Sequence, residues 1–308
     1  MTLQQLQYVV ALDQYKHFVR ASESCEVAQP TLTLQVKKLE NEIGFKIFDR
    51  SSKPIQSTPM GHLFIEKARQ IIREVESLKE LVNQDKNELK GNFRLGIIPT
   101  LAPYLLPVFL KDFVDSHEGL SLEVKEMQSE RIMEELDKGS LDIGIMATPL
   151  AHRHLREIPM FYEPFLVYAH PNHNILKKSI ATSDDMHQNG LWVLDQGHCF
   201  RNQVLNICEK REARAVERIS FDSGSIETLK NMIKGHSGFT LVPELAIGPQ
   251  DQTQVRRFMA PEPAREISLI VHHTFTKELL LKHLRKSIQG SVPIKFKKNN
   301  RFVTVQWR

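Results

Sequence analysis

Val27-Ala28-Gln29-Pro30-Thr31-Leu32-Thr33-Leu34-Gln35-Val36-Lys37-Lys38-Leu39-Glu40 decides how the first ninety residues are read. Proline near its start and Gly44 just past its end bracket a helix from Pro30 to Ile43. Leu32, Val36, Leu39 and Ile43 fall in one narrow sector, and Thr31, Thr33, Lys37 and Lys38 lie outside it. One face packs and the other offers hydroxyls and cations. Upstream, Leu3, Leu6, Val9 and Val10 form an apolar stripe at helical spacing, and Phe18, Ala21, Ser22 and Cys25 suggest a second, short helix. Two short helices ahead of a third with a polar, cationic face suit a helix-turn-helix, whose third helix enters the major groove of DNA. Gln29, Pro30, Thr31 and Thr33 are then candidate base or phosphate contacts. Lys37, Lys38, Arg50 and Lys53 suit phosphates, with Arg50 on a β-wing inside the extended stretch Phe48 to Ser57. An ordinary three-helix subdomain with a solvated face fits the same periodicity, which alone does not separate the two.

Beyond the wing, a long helix is expected from about Pro59 to about Lys90, ended by Gly91. Its apolar positions (Leu63, Phe64, Ala68, Ile71, Ile72, Val75, Leu78, Val82) call for a partner, which predicts a dimer seam. From Phe93 the pattern becomes βαβ. Strands are expected at Phe93–Ile98, Ser121–Glu126, Asp142–Ala147, Phe165–Ala169, Leu191–Leu194, Arg218–Phe221, Gly238–Val242 and Ile267–Val271. Helices are expected at Leu105–Ser116, Arg131–Lys138, Phe200–Arg211, Ile226–Ile233 and Leu279–Gln289. The alternation predicts a mostly parallel sheet covered by helices, with ligands near the strands' carboxyl ends. Some 200 residues of it point to two sub-domains. The fold class is α/β behind a helical arm.

Composition narrows the partners. Forty-one Lys and Arg against thirty-seven Asp and Glu give +4, but five basic residues and no acid lie between Ser291 and Arg308. The rest of the chain is nearly neutral, so DNA binding must come from local placement of charge. No window reaches the ~18 uninterrupted apolar residues of a membrane span, and Met1 to Ala11 lacks the pattern of a signal peptide. Three cysteines do not make a secreted disulfide scaffold, so a reducing cytoplasm is expected. The tail from Lys295 to Arg308 alternates apolar and polar residues like a strand. It can dock on the rest of its chain, meet another subunit or lie near DNA.

Cys25 sits at helical spacing and reads as a core residue. Cys199 follows the apolar run Leu191 to Leu194 and should lie in a loop near helix N-terminal amides, which lower a thiol pKa. Arg201 and His198 can add to that effect. A thiolate attacks peroxide to give a sulfenic acid, which a second thiol resolves, and Cys208 is nine positions on. Within one helix those nine positions span roughly 13 Å. A disulfide needs Cα atoms within about 7 Å. The pair therefore bonds only if the segment unwinds. Taken alone, two cysteines in such a chain are better read as buried apolar residues. Zinc on His198, Cys199 and Cys208 is disfavoured, with no tight Cys-x-x-Cys pair and no fourth ligand, so neither metal nor cofactor is expected. No nucleophile elbow, phosphate loop or paired-carboxylate motif marks an enzyme.

The segments Leu3–Leu6, Val27–Glu40, Gly44-Phe45-Lys46-Ile47-Phe48-Asp49-Arg50 and Thr58-Pro59-Met60-Gly61 resemble the LysR-type transcriptional regulators, and the similarity runs through the whole chain in order. The resemblance implies a winged helix-turn-helix over 1–58, a linker and dimerisation helix over 59–90, and a regulatory domain over 91–308 of the two-lobed, periplasmic-binding-protein-like kind. Lobe I would hold about 91–163 and 268–290, lobe II about 164–267, and a basic tail 291–308. One departure stands out, because Ala28 occupies a position where the family commonly has a capping serine, forfeiting about 1 kcal/mol.

Gly197-His198-Cys199-Phe200-Arg201 with Cys208 nine on, Glu227–Met232, Gly238–Pro243 and Pro261-Glu262-Pro263 are similar to the peroxide-sensing members of that family. By that resemblance Cys199 is the peroxidatic thiol and Cys208 the resolving one. Thr100, Ser129, His198, Arg201 and Arg265 line the peroxide pocket, Ser129 standing where threonine is usual. The implied protein is a cytoplasmic homodimer or homotetramer on double-stranded promoter DNA. It works with RNA polymerase, responds to hydrogen peroxide, controls antioxidant genes and is reset by glutaredoxin or thioredoxin, with no membrane partner and no enzymatic turnover. Two rival readings are a LysR-type regulator with an organic effector between its lobes, and a ligand-binding or enzymatic α/β protein with a helical arm.

Overall fold

Apolar spacing becomes helix where it is expected in the N-terminal unit. The computed structural model describes residues 1–84, 89–209, 224–297 and 301–306. It contains α1 (Leu3–Tyr15), α2 (Phe18–Ser24) and α3 (Gln29–Ile43), then a wing of β1 (Phe48–Asp49) and β2 (Gln56–Ser57) paired antiparallel, and α4 (Pro59–Gln84). Thr2 and Gln5 cap α1 reciprocally. Helix α3 ends at Gly44, which takes the left-handed conformation (φ 79°) that favours glycine. Its start at Ala28 has no side-chain cap. Val9, Leu12, Leu32, Val36, Leu39, Ile47, Phe48 and Ile65 share one core. Gly61 lets α4 begin against the wing, since a Cβ there would lie 2.0 Å from the Ile47 carbonyl oxygen. On α4, Leu63, Ile71 and Leu78 remain exposed at 56, 44 and 64%.

The C-terminal unit is a mixed sheet with helices on its faces. Its elements are β3 (Gly91–Ile97), α5 (Ala102–Asp115), β4 (Leu120–Glu126), α6 (Ser129–Lys138), β5 (Ile143–Thr148), β6 (Leu155–Ala169), β7 (Ile180–Ala181) and α7 (Cys199–Ile207). Then follow α8 (Ile226–Gly235), β8 (Phe239–Pro243), β9 (Val255–Phe258), β10 (Glu262–His272), α9 (Glu278–Ser291) and β11 (Phe302–Thr304). The strand path is β4-β3-β5-β10-β6-β9-β7, with β8 on β6 and β11 on β10. Two long strands join two halves. The first part of β6, Leu155 to Pro164, pairs with β10, and Phe165 to Ala169 pairs with β8.

Three expectations are corrected and one strand is added. The sheet is not mostly parallel, because β10 runs antiparallel to both β5 and β6, and β6 to β8 and β9. Leu155 to Pro164, where no element was expected, is strand and includes Pro159 and Pro164. Pro159 sits at a register shift opposite Ser268, and Pro164 where β6 changes partner, both places where a missing N–H is tolerated. Leu191–Leu194 is buried and extended but makes only one bridge, Leu191 to Phe239, so it is not a strand. A buried apolar run without a ladder has the same sequence signature. Gly91 does not close α4 but opens β3, with φ 124°. The strand expected at Arg218–Phe221 and the last residues of the helix expected to reach Arg211 lie outside the described residues.

The tail docks on its own chain. Phe296 is buried and stacks on Phe161 at 6.1 Å, and β11 pairs parallel with Glu262–Ala264. Lys295 and Arg301 form ion pairs with Glu244 and Glu262.

Candidate functional site

The redox segment begins where α7 begins. His198 is the residue before the helix and Cys199 its first residue, inside the helix rather than in the preceding loop. Cys199 is 3% exposed. Around it stand Thr100, in the turn after β3, Ser129, first residue of α6, and Arg265 on β10, all at most 2% exposed. The Arg265 guanidinium is the hub. Its Nη1 donates to Thr100 Oγ1 at 2.9 Å and Nη2 to the Thr100 carbonyl at 3.1 Å. Nε donates to Glu163 Oε2 at 2.9 Å, and the guanidinium carbon sits 5.8 Å from the centre of the Phe200 ring. Arg265 thereby joins the β3 turn, both crossing strands and the residue next to Cys199.

Glu163 was not anticipated from sequence. It lies directly across β6–β10 from Arg265, fully buried, and also accepts the Leu245 amide at 2.8 Å. Burial pushes its carboxyl up, opposed by the Arg265 charge. The available signal was a lone acid inside the buried run Phe161 to Phe165, but its partner is 102 residues away.

The thiol itself corrects an expectation. Burial pushes the Cys199 pKa up, not down. The Ser129 hydroxyl, the Arg265 charge and the amides of Phe200 and Cys199 all favour the thiolate, yet desolvation outweighs them. The Ser129 hydroxyl is buried beside the sulfur, where it can also bond a guest. Arg201 points elsewhere and donates to the Leu194 carbonyl at 2.7 Å. His198 Nε2 lies 3.1 Å from Asp195 Oδ1. Thr100, Ser129, Cys199 and Arg265 are thus brought together, whereas Arg201 faces the loop before α7.

Cys208 caps the far end of α7, is fully buried and packs in the core of Phe165, Leu194, Phe200 and Val204. Both cysteines are free thiols. With α7 helical between them, their Cα atoms are roughly 13 Å apart. The tail holds this helix. Gln203 Nε2 donates to the Val305 carbonyl at 2.9 Å, and Asn206 Nδ2 to the Gln306 carbonyl at 2.8 Å.

In the N-terminal unit, Gln29, Pro30 and Thr31 are exposed at the start of α3, Thr33 is half-buried, and Lys37, Lys38 and Lys53 are exposed. Arg50 is engaged internally. Its Nη2 donates to the buried Glu40 at 3.0 Å, and Glu40 accepts the amides of Ile47 at 2.9 Å and Phe48 at 3.2 Å. Glu40 therefore sets the wing against α3. Glu40→Ala is expected to destabilise this unit by about 1.5–3 kcal/mol, the scale of hydrogen bonds to a charged group. Hydrogen exchange at the Ile47 and Phe48 amides checks it, and unchanged protection would contradict the assignment.

A winged helix-turn-helix beside a two-part α/β unit with a buried, polar-lined thiol defines a bacterial transcription regulator with a sensory domain. The chain belongs to the LysR family. Residues 3–62 match the bacterial regulatory helix-turn-helix of that family, and residues 86–292 its substrate binding domain. It is 37% identical over 273 residues to a hydrogen peroxide-inducible genes activator of Haemophilus influenzae, covering 88% of this chain and 90% of that one. Among solved structures, a full-length OxyR variant of Pseudomonas aeruginosa matches with TM-score 0.81 and 31% identity, over 95% of this chain and 99% of the other. A hydrogen-peroxide-bound OxyR variant of Corynebacterium glutamicum matches with TM-score 0.62 and 25% identity, over 94 and 92%.

Proposed function

We infer that this protein is a hydrogen-peroxide-sensing transcriptional regulator that binds promoter DNA through Gln29, Pro30, Thr31, Thr33, Lys37, Lys38 and Lys53, with Arg50 shaping the wing. The observation that carries the reading is Cys199, buried in a pocket of Thr100, Ser129 and Arg265 and sharing one helix with Cys208. The thiol and its polar neighbours are buried, which suits a small oxidant better than an organic effector. The Cys199 thiolate attacks one peroxide oxygen, so an S–O bond forms, the O–O bond breaks and hydroxide leaves. The Cys208 thiol then displaces water from the sulfenic acid to give the disulfide.

That second step needs the Cα atoms about 6 Å closer than the helix permits. Helix α7 must therefore open, and Gln203 and Asn206 must release the tail. Oxidation is in this way a change of backbone, and the exposed Leu63, Ile71 and Leu78 on α4 give it a dimer, or a pair of dimers, in which to be read. A changed spacing of DNA-binding units would alter contact with RNA polymerase at antioxidant genes. Glutaredoxin or thioredoxin in the cytoplasm would restore the thiols. Cys199 reacts once per reduction cycle and so does not act as an enzyme's nucleophile.

Mass spectrometry of protein treated with equimolar peroxide tests this. A Cys199–Cys208 disulfide is expected in the parent, a trapped Cys199 sulfenic acid in Cys208→Ser, and no regulation in Cys199→Ser. Free thiols after treatment, with full regulation by Cys199→Ser, would return the reading to an effector-binding regulator.

A further inference from the structure

Four histidines gather at one end of the paired strands β6 and β10. His154 immediately precedes β6 and His273 immediately follows β10, and the His273 amide donates to the His154 carbonyl at 2.8 Å. His272, the last residue of β10, pairs with Leu155, and His152 is two residues before His154. This end is roughly 30 Å along the strand from Glu163. It is separate from the thiol pocket.

The ring spacings are close to those of imidazoles that share an ion. Ring centres are 4.3 Å apart for His272 and His273, 5.8 Å for His154 and His273, 6.3 Å for His154 and His272, and 6.0 Å for His152 and His154. A metal–nitrogen bond of about 2.0–2.1 Å puts each ring centre roughly 3.2 Å from the ion. Two ligating rings then lie about 4.5 Å apart at a right angle and about 5.2 Å apart at a tetrahedral angle. The His272–His273 spacing matches the right-angle value, and the other three exceed the tetrahedral value by about 0.6–1.1 Å, so those rings must turn toward one another to share an ion.

The partners of the rings point the same way. A ligating histidine almost always has its other nitrogen held by a carboxylate or carbonyl, which fixes the tautomer. His273 Nδ1 lies 3.1 Å from the His154 carbonyl oxygen, which can accept its proton and leave Nε2 as donor to an ion. His152 Nε2 lies 3.4 Å from Asp137 Oδ2, and its Nδ1 is buried with no hydrogen-bond partner. As the side chains stand, no three donors among the described residues already converge on one point. His154 and His273 are exposed, so rotation about their side-chain bonds brings donors together without moving either strand.

We propose that His152, His154, His272 and His273 bind one divalent ion of the zinc, nickel or copper kind, with Asp137 orienting His152. All-imidazole ligation selects these ions over magnesium or calcium. The ion fastens the first residues of β6 to the last of β10, the two strands that carry Glu163 and Arg265 further along.

The test is calorimetric titration of Zn²⁺ into the full chain carrying Cys199→Ser and Cys208→Ser, so that the redox thiols do not compete. One ion per chain is expected, with at least tenfold weaker binding in the His154→Ala, His273→Ala double variant. Both positions are exposed, so the double variant should keep its metal-free thermal midpoint, which verifies folding. Asp137→Asn should weaken binding 10- to 100-fold, as loss of an orienting carboxylate does. Absence of one-to-one binding, or unchanged affinity in the folded double variant, would overturn the site.

Discussion

Glu163→Ala should lower the unfolding free energy of the regulatory unit by about 3–5 kcal/mol, the cost of leaving one member of a buried ion pair alone. Arg265 and Glu163 are both fully buried, and the substitution strands a guanidinium that cannot be deprotonated. Its remaining acceptors, Thr100 Oγ1 and the Thr100 carbonyl, are neutral. Glu163→Gln keeps the shape and one acceptor and should cost less, though the charge is still uncompensated. Urea unfolding followed by Trp192 emission reads the effect, since Trp192 is buried in the same core as Phe200. A loss below about 1 kcal/mol would mean that Arg265 finds another anion. The same variants remove the carboxylate that neutralises Arg265, so with Arg265 in place they should favour the Cys199 thiolate and speed its oxidation.

What could be read from residues follows the range of the interactions. Helix α3 was legible because Pro30, Gly44 and the Leu32–Val36–Leu39 sector are local facts. Thr100, Ser129 and Arg265 came only through resemblance to a family, since 165 positions separate Thr100 from Arg265 and no periodicity links them. Glu163 was missed for that reason too, because a buried acid declares itself only when its partner strand is placed. The loop position and depressed pKa expected for Cys199 failed by a different route. Helix amides and a cation do act on the sulfur, but burial is a tertiary quantity that sequence does not supply, and here it is the larger effect. Pro159 and Pro164 hid half of β6 because a breaker in one register is harmless at a bulge or a change of partner.

That burial has a kinetic consequence. The nucleophile is the thiolate, and the Cys199 pKa is raised above the ordinary 9.0, so at neutral pH the resting form is the thiol. The reactive fraction then climbs about tenfold for each pH unit, following the fraction of deprotonated thiol. The second-order rate of oxidation by hydrogen peroxide should accordingly rise roughly 100-fold between pH 6 and pH 8. A thiol lowered by helix amides, as sequence suggested, would instead give a rate that levels off below pH 7. Stopped-flow measurement of thiol loss at several pH values separates the two. Ser129→Ala should move the rising limb to higher pH, because it removes a hydroxyl that favours the thiolate. A plateau below pH 7 in the parent would show that the helix amides, Ser129 and Arg265 outweigh burial at Cys199, and would overturn the raised pKa.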